Sequence, residues 1–172
     1  MSMTTERQEA LDTRAFRDLM GFFPTGVAVV TSWGDEGPAG MTVNSLASLS
    51  LDPMLVMVGF DLTSRTLPAV ERSGRFGLSL LCCEQEEISR RFATKLSEKE
   101  KFEGVDFDIR LGIPILCGAG AWIVCALEAF HPGGDHVIAV GKVLTTGRDS
   151  GTQEPLVFHR GRYTMLGPSP AP

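Results

Sequence analysis

Apolar and polar positions along this chain change their period several times, and each change marks an element. Over residues 13–23, Phe16, Leu19, Met20 and Phe23 recur at helical spacing behind Asp12, a natural N-cap, and Pro24 closes the helix. Residues 26–33 are rich in β-branched side chains and read as a strand, with Gly34-Asp35-Glu36-Gly37-Pro38 as the turn after it. Residues 39–51 read as the returning strand of a hairpin. After a turn at Asp52-Pro53, residues 54–60 are continuously apolar, the pattern of a strand buried on both faces. Residues 66–72 predict a short helix with Pro68 in its first turn, 75–82 a strand, and 84–95 a helix with Ile88 and Phe92 on one side. Residues 96–110 are charged and irregular, and a long surface connection is expected there. Runs 121–131 and 137–146 are strand-like and joined by Pro132-Gly133-Gly134-Asp135, and 156–160 is a last strand leading through Gly161-Arg162 to Tyr163. Short strands at close spacing with few helices predict a mainly β protein, built as a closed or nearly closed antiparallel barrel. The expected organisation is a flexible lead over residues 1–12, one domain over 13–166 and a disordered tail over 167–172.

Composition narrows the partners. The chain has 172 residues, of which 43% are apolar, and a domain of that length buries roughly 70% of its unfolded surface. No apolar run reaches the ~20 residues of a membrane helix, and the charged N-terminal stretch is not a secretory signal, so a cytoplasmic protein is expected. The 21 acids outnumber 16 bases, and the one basic cluster, Arg90, Arg91 and Lys95, follows Glu84, Glu86 and Glu87. Acids early and bases late complement a helix dipole, so nucleic acid is not an expected partner. Cys82, Cys83, Cys117 and Cys125 contain no C-x-x-C pair, and no metal site is expected; they read as small buried thiols in a reducing compartment.

Candidate chemistry concentrates in three places. In residues 41–51 the odd positions, Met41 to Leu51, are mostly apolar, whereas Thr42, Asn44, Leu46, Ser48 and Ser50 occupy the even ones. On a continuous strand the odd set packs a core and the even set offers uncharged hydrogen-bonding groups. That row is either an ordinary wet sheet face or a bed for a planar, heteroatom-rich ligand. Thr63-Ser64-Arg65-Thr66, ahead of a helix, is either a plain cap or a phosphate site. In His131-Pro132-Gly133-Gly134-Asp135-His136, two histidines lack a third metal ligand, and His136 beside Asp135 is the better functional candidate. Gly118-Ala119-Gly120-Ala121-Trp122-Ile123 lacks the third glycine of a dinucleotide fingerprint, and no P-loop or nucleophile elbow occurs.

Several segments together resemble the short-chain flavin reductase family: Phe23-Pro24-Thr25-Gly26-Val27, Gly40-Met41-Thr42-Val43-Asn44-Ser45, Ser48-Leu49-Ser50-Leu51-Asp52-Pro53, Ser64-Arg65-Thr66, Gly134-Asp135-His136 and Pro155-Leu156-Val157-Phe158. The resemblance runs from about residue 16 to 166. It implies a split β-barrel, a homodimer, and an enzyme that uses NADH or NADPH to reduce FMN or FAD for a separate monooxygenase. It further implies that Gly40, Met41, Thr42, Asn44, Ser45 and Ser48 meet the flavin ring and ribityl chain. Phe60 and Asp61 would line it from the next strand, Arg65 and Thr66 hold phosphate, and Arg91 and Phe92 add a helix contact. His136 would be the catalytic residue near the nicotinamide, with Phe158, Arg160 and Tyr163 on the same side. His159 departs from the family's usual Tyr or Trp. A non-catalytic flavin-binding protein and a pyridoxamine-phosphate-oxidase-like oxidase on the same barrel are the alternatives.

Overall fold

The computed structural model describes residues 12–148 and 154–166; the expected lead and tail lie outside these, except for Asp12. Four α-helices and twelve strands follow in the order α1 (Thr13–Met20), β1 (Thr25–Gly26), β2 (Ala28–Gly34), β3 (Gly37–Val43), β4 (Leu46–Leu51), β5 (Met54–Asp61), α2 (Thr66–Ser73), β6 (Arg75–Leu80), α3 (Glu86–Phe92), α4 (Glu98–Phe102), β7 (Phe107–Arg110), β8 (Ile113–Leu116), β9 (Ala121–Gly133), β10 (His136–Arg148), β11 (Val157–His159) and β12 (Arg162–Thr164). The mainly β, antiparallel expectation holds. Seven strands form one antiparallel sheet in the order β3-β2-β6-β9-β10-β5-β4, beside a small β1-β11-β12 sheet and a β7-β8 hairpin. β3 and β4 stand at opposite ends of the large sheet, yet only Asn44 and Ser45 separate them in the chain. Three peptide steps reach at most about 11 Å, so the sheet curls until its outer strands approach. Among the described residues no ladder joins those two strands, and the sheet stays open.

β2 explains how the sheet is buried. Ala28 and Val30 face a core with Val58, Phe60, Val70, Phe76 and Leu78, while Val27 and Val29 face a second cluster with Leu81, Phe92, Phe102 and Leu116. Each fully buried large side chain contributes about 1.5–3 kcal/mol. β2 is thus covered on both faces, as are β6 and β8. The expectation for residues 54–60 is corrected: β5 alternates, with Val56, Val58 and Phe60 buried and Leu55, Met57 and Gly59 half-buried.

Four further expectations are corrected. The predicted strand over 39–51 is two strands, because the chain turns at Asn44 and Ser45. The odd positions after that break, Ala47, Leu49 and Leu51, are exposed. The stretch 96–110 holds α4 and β7, and β8 follows it; Ser97 caps α4 through a capping box with Glu100. α1 ends at Met20 with no buried residue, although Asp12 accepts from the Arg14 N–H as expected. Cys82 and Cys125 are buried, whereas Cys83 is half-buried and Cys117 exposed, correcting the reading of four buried thiols. Among the described residues no helix is long and apolar enough to cross a membrane.

Candidate active site

The break between β3 and β4 creates the site's central feature. Ser45 leaves the strand and pairs with Gly59 of β5 through its side chain, its Oγ donating to the Gly59 carbonyl at 2.9 Å and accepting the Gly59 N–H at 3.1 Å. A Cβ on Gly59 would fall 3.2 Å from the Ser45 side chain, so glycine there permits the close approach. Asn44 donates from Nδ2 to Thr25 Oγ1 at 3.3 Å, and both Asn44 and Ser45 remain exposed. Thr42 donates from Oγ1 to the Ser89 carbonyl at 2.7 Å, and the Ser89 hydroxyl meets the Tyr163 hydroxyl at 2.8 Å.

One end of this row is positively charged. A cavity of about 310 Å³ is bordered by Met41, Thr42, Asp61, Arg65, Phe92, Thr94, Lys95 and Lys101 among others, so three cations face one acid. Asp61 organises the loop ahead of α2: its Oδ1 accepts the Thr63 N–H and hydroxyl, both at 2.7 Å. Those bonds, aided by His136 and Lys95, hold its carboxyl below the usual range. Ser64 donates to Met41 Sδ at 2.9 Å and accepts the Thr66 N–H at 3.1 Å, which ties the loop to β3. Arg65 is exposed, with Nη1 3.4 Å from the Leu96 carbonyl.

The other end is aromatic. A cavity of about 880 Å³ is bordered by Arg17, Phe22, Asn44, Ser45, Phe158 and Arg160 among others. The Arg160 guanidinium lies 4.1 Å from the centre of the Phe22 ring, and Phe158 packs edge-on against Tyr163. Residues 41–45 therefore run from the cationic cavity to the aromatic one. His136 pairs with Asp61 across β5 and β10, and its Cδ2 lies about 4.0 Å from the position a Gly59 Cβ would take. Its Nδ1 meets Asp135 Oδ1 at 2.7 Å. A carboxylate can only accept, so that bond places a proton on Nδ1, and in the neutral ring Nε2 is the acceptor.

Met41, Thr42, Asn44, Ser45, Asp61, Arg65 and His136 are thus gathered along one path, and Phe158 and Arg160 border it. Tyr163 borders neither cavity and packs behind Phe158 against the second core cluster. The other expected residues stand elsewhere. Phe60 is fully buried in the core against Phe76. Thr66 is fully buried and its hydroxyl has no partner among the described residues, so it does not offer a hydroxyl to an anion at the surface. Phe92 borders the cationic cavity but belongs to the second core cluster. Gly40 is buried and its peptide groups are occupied by Glu98 and Lys101. Arg91 donates to the Glu103 carbonyl at 2.7 Å and borders a different cavity, with Glu84 and Val105. Ser48 is exposed on β4, opposite Val56, and borders neither cavity. Lys101, Ser89, Arg17 and Phe22 were not singled out by sequence, and Lys95 was read only as part of a basic cluster complementing a helix dipole; for Lys101 the usable signal was Ser97-x-x-Glu100, which announces the helix carrying it.

A phosphate matches Arg65 and Lys95, Lys101 being already paired with Glu98, and a planar ring bearing carbonyl and imide groups matches the uncharged donors and acceptors of residues 42–45. The residues present therefore fit a flavin nucleotide. Among the described residues no group of three or more His, Cys, Asp or Glu is placed to hold a metal ion. Comparison with known proteins agrees with this chemistry. The flavin reductase like domain matches residues 20–167. The reductase subunit HsaB of a flavin-dependent monooxygenase from Rhodococcus jostii is 42% identical, over 95% of this chain and 85% of its own. The FMN reductase (NADH) SmoA of Agrobacterium fabrum is 39% identical, over 88% and 85% respectively. The solved NADH:FAD oxidoreductase SgcE6 of Streptomyces globisporus, in complex with NAD and FAD fragments, superposes with a TM-score of 0.85 at 35% identity, covering 93% of this chain and 98% of its own.

Proposed function

Because the chain belongs to the flavin reductase like domain family, we propose that it oxidises NAD(P)H to reduce FMN or FAD and supplies the reduced flavin to a separate monooxygenase. The observation that carries this reading is the continuous path of residues 41–45 from a cation-rich cavity to an aromatic one. In hydride transfer the nicotinamide donates and the flavin ring accepts, so the protein's task is alignment. Arg65 and Lys95 would hold the flavin phosphate, with Asp61 keeping their loop in shape through Thr63. Thr42, Asn44 and Ser45 would support the ring and ribityl chain. His136, steadied by Asp135, would hold the nicotinamide carboxamide through Nε2, and Phe158 and Arg160 would border its other side, with Tyr163 supporting Phe158 from behind.

The fold reading behind this is a split barrel over residues 13–166, in which the outer strands β3 and β4 meet at Asn44 and Ser45 rather than through a ladder. The working unit is a homodimer in the cytoplasm, with NADH or NADPH as donor. Purified protein should consume NAD(P)H when FMN or FAD is added and not without it. Flavin binding with no nicotinamide oxidation would instead support a non-catalytic flavin carrier, and neither binding nor oxidation would end the assignment.

A further inference from the structure

α4 does to β3 what a neighbouring strand would do. β3 is an outer strand of the large sheet, and Gly40 lies on it immediately before Met41 and Thr42. Glu98 Oε2 accepts the Gly40 N–H at 2.7 Å, Lys101 Nζ donates to the Gly40 carbonyl at 3.0 Å, and Glu98 Oε1 meets Lys101 Nζ at 3.0 Å. One ion pair thus occupies both polar groups of a single residue. Lys101 is only 5% exposed. Burying such a pair has a large desolvation cost, which good geometry and added hydrogen bonds must offset. A five-residue helix is marginal on its own, so α4 depends on this contact for its place against β3. The contact also joins two walls of the cationic cavity. Met41 and Thr42 line one side, and residues 92–96 with Lys101 line the other. Phe92 and Phe102 close the gap behind Gly40, where an added Cβ would fall 2.9 Å from the Phe92 ring.

We propose that Glu98 and Lys101 are positioning residues for the flavin site: they latch the wall formed by residues 92–102 onto β3 through Gly40 and thereby set the spacing across the cavity. The inference rests on the flavin reading above and adds residues that reading does not use. The latch sets the spacing between Met41 and Thr42, which lie along the ring and ribityl chain, and the wall that carries Lys95, so its loss weakens riboflavin as well as FMN. Loss of a phosphate ligand such as Arg65 affects FMN and spares riboflavin.

The test is Lys101→Met and the double variant E98Q/K101M, which removes both buried charges together. In both, KM for FMN and for riboflavin should rise by about tenfold or more in parallel, with kcat at saturating flavin within about threefold of the parent. The double variant should melt near the parent temperature, because no unpaired charge stays buried. Flavin affinity that recovers along with the melting temperature would overturn the latch, as would a loss confined to FMN. Should the variants fail to fold, hydrogen exchange on the parent decides. Saturating riboflavin should slow exchange of the Gly40 amide and of residues 92–102, and unchanged rates there refute the proposal. A parent protein that binds no flavin removes the functional reading and the latch with it; a parent that binds flavin while the variants bind it equally removes the latch alone.

Discussion

Asp61 gives the loop ahead of α2 its shape, and its titration gives that role a measurable signature. The Thr63 hydroxyl and N–H bind its charged form, so its carboxyl titrates lower in the folded chain than in the unfolded one. A depressed carboxyl contributes stability that is fully present above the unfolded value and is lost as pH falls through the folded one. Melting temperatures measured downward from neutral pH should therefore hold steady for this group until the acid range. Asp61→Asn should flatten that acid limb, and an unchanged limb would remove Asp61 from the loop's stability. Arg65 has a different signature. Arg65→Ala should weaken FMN by ~1.5–3 kcal/mol, the scale of a hydrogen bond to a charged group, and riboflavin far less. Equal losses in a fluorescence titration would show that Arg65 acts on folding. His136→Ala should leave flavin affinity within about threefold yet slow flavin reduction by at least about tenfold, a barrier change of roughly 1.4 kcal/mol. Stopped-flow reduction at the parent rate in a normally melting variant would remove His136 from the reaction.

Elements impose constraints that no single side chain reveals, and β10 shows this most sharply. Its register against β9 shifts between Val140 and Gly141, and an added Cβ at Gly141 would collide with Phe76 and fall 2.9 Å from Cys125 Cβ. Gly141→Ala should cost about 1–3 kcal/mol as an overpacked core, read as a lowered denaturation midpoint; an unchanged midpoint would mean that Phe76 moves freely. How far such features were legible in sequence depended on their range. Alternation from Met41 onward announced a polar row, and Thr42, Asn44 and Ser45 do lie on the path between the cavities. The break at Asn44 and Ser45 was not legible, because apolar and polar residues keep alternating straight through it while the chain changes its partner from β2 to β5. Ala47, Leu49 and Leu51 consequently seemed to face a core that is not there. α4, with five residues, is too short to show a period, so the ion pair on Gly40 stayed hidden in what looked like a surface connection. Arg91 and Phe92 were correctly placed on a helix, but adjacent helical positions point about 100° apart, and only Phe92 turns toward the cavity.

At the scale of the molecule, what needs explaining is the apolar surface a single chain leaves uncovered. α1 buries none of its residues, although Phe16, Leu19 and Met20 lie on it, and Phe22 and Phe23 follow equally exposed. The hairpin of β4 and β5 adds Leu51 at 85% exposure and Met54, its register partner, at 58%. β4 is also an outer strand, and an unpaired apolar edge of that kind ordinarily invites another chain. Monomeric proteins rarely expose contiguous apolar patches beyond a few hundred Å², so these two regions are the ones the proposed homodimer would cover. A second copy of the chain is the simplest occupant, and a two-fold axis would bury the same residues on both copies. Sedimentation should therefore find a homodimer at micromolar concentration. The double change Leu51→Lys with Met54→Lys should shift it to monomer while far-ultraviolet circular dichroism stays unchanged, because neither side chain supports the core. Phe22 and the residues beside it border the aromatic cavity, so monomerisation should also weaken nicotinamide binding if α1 is held by the partner. A parent protein that sediments as a monomer with full flavin-reducing activity would overturn the dimer and leave the exposed apolar surface to a different partner.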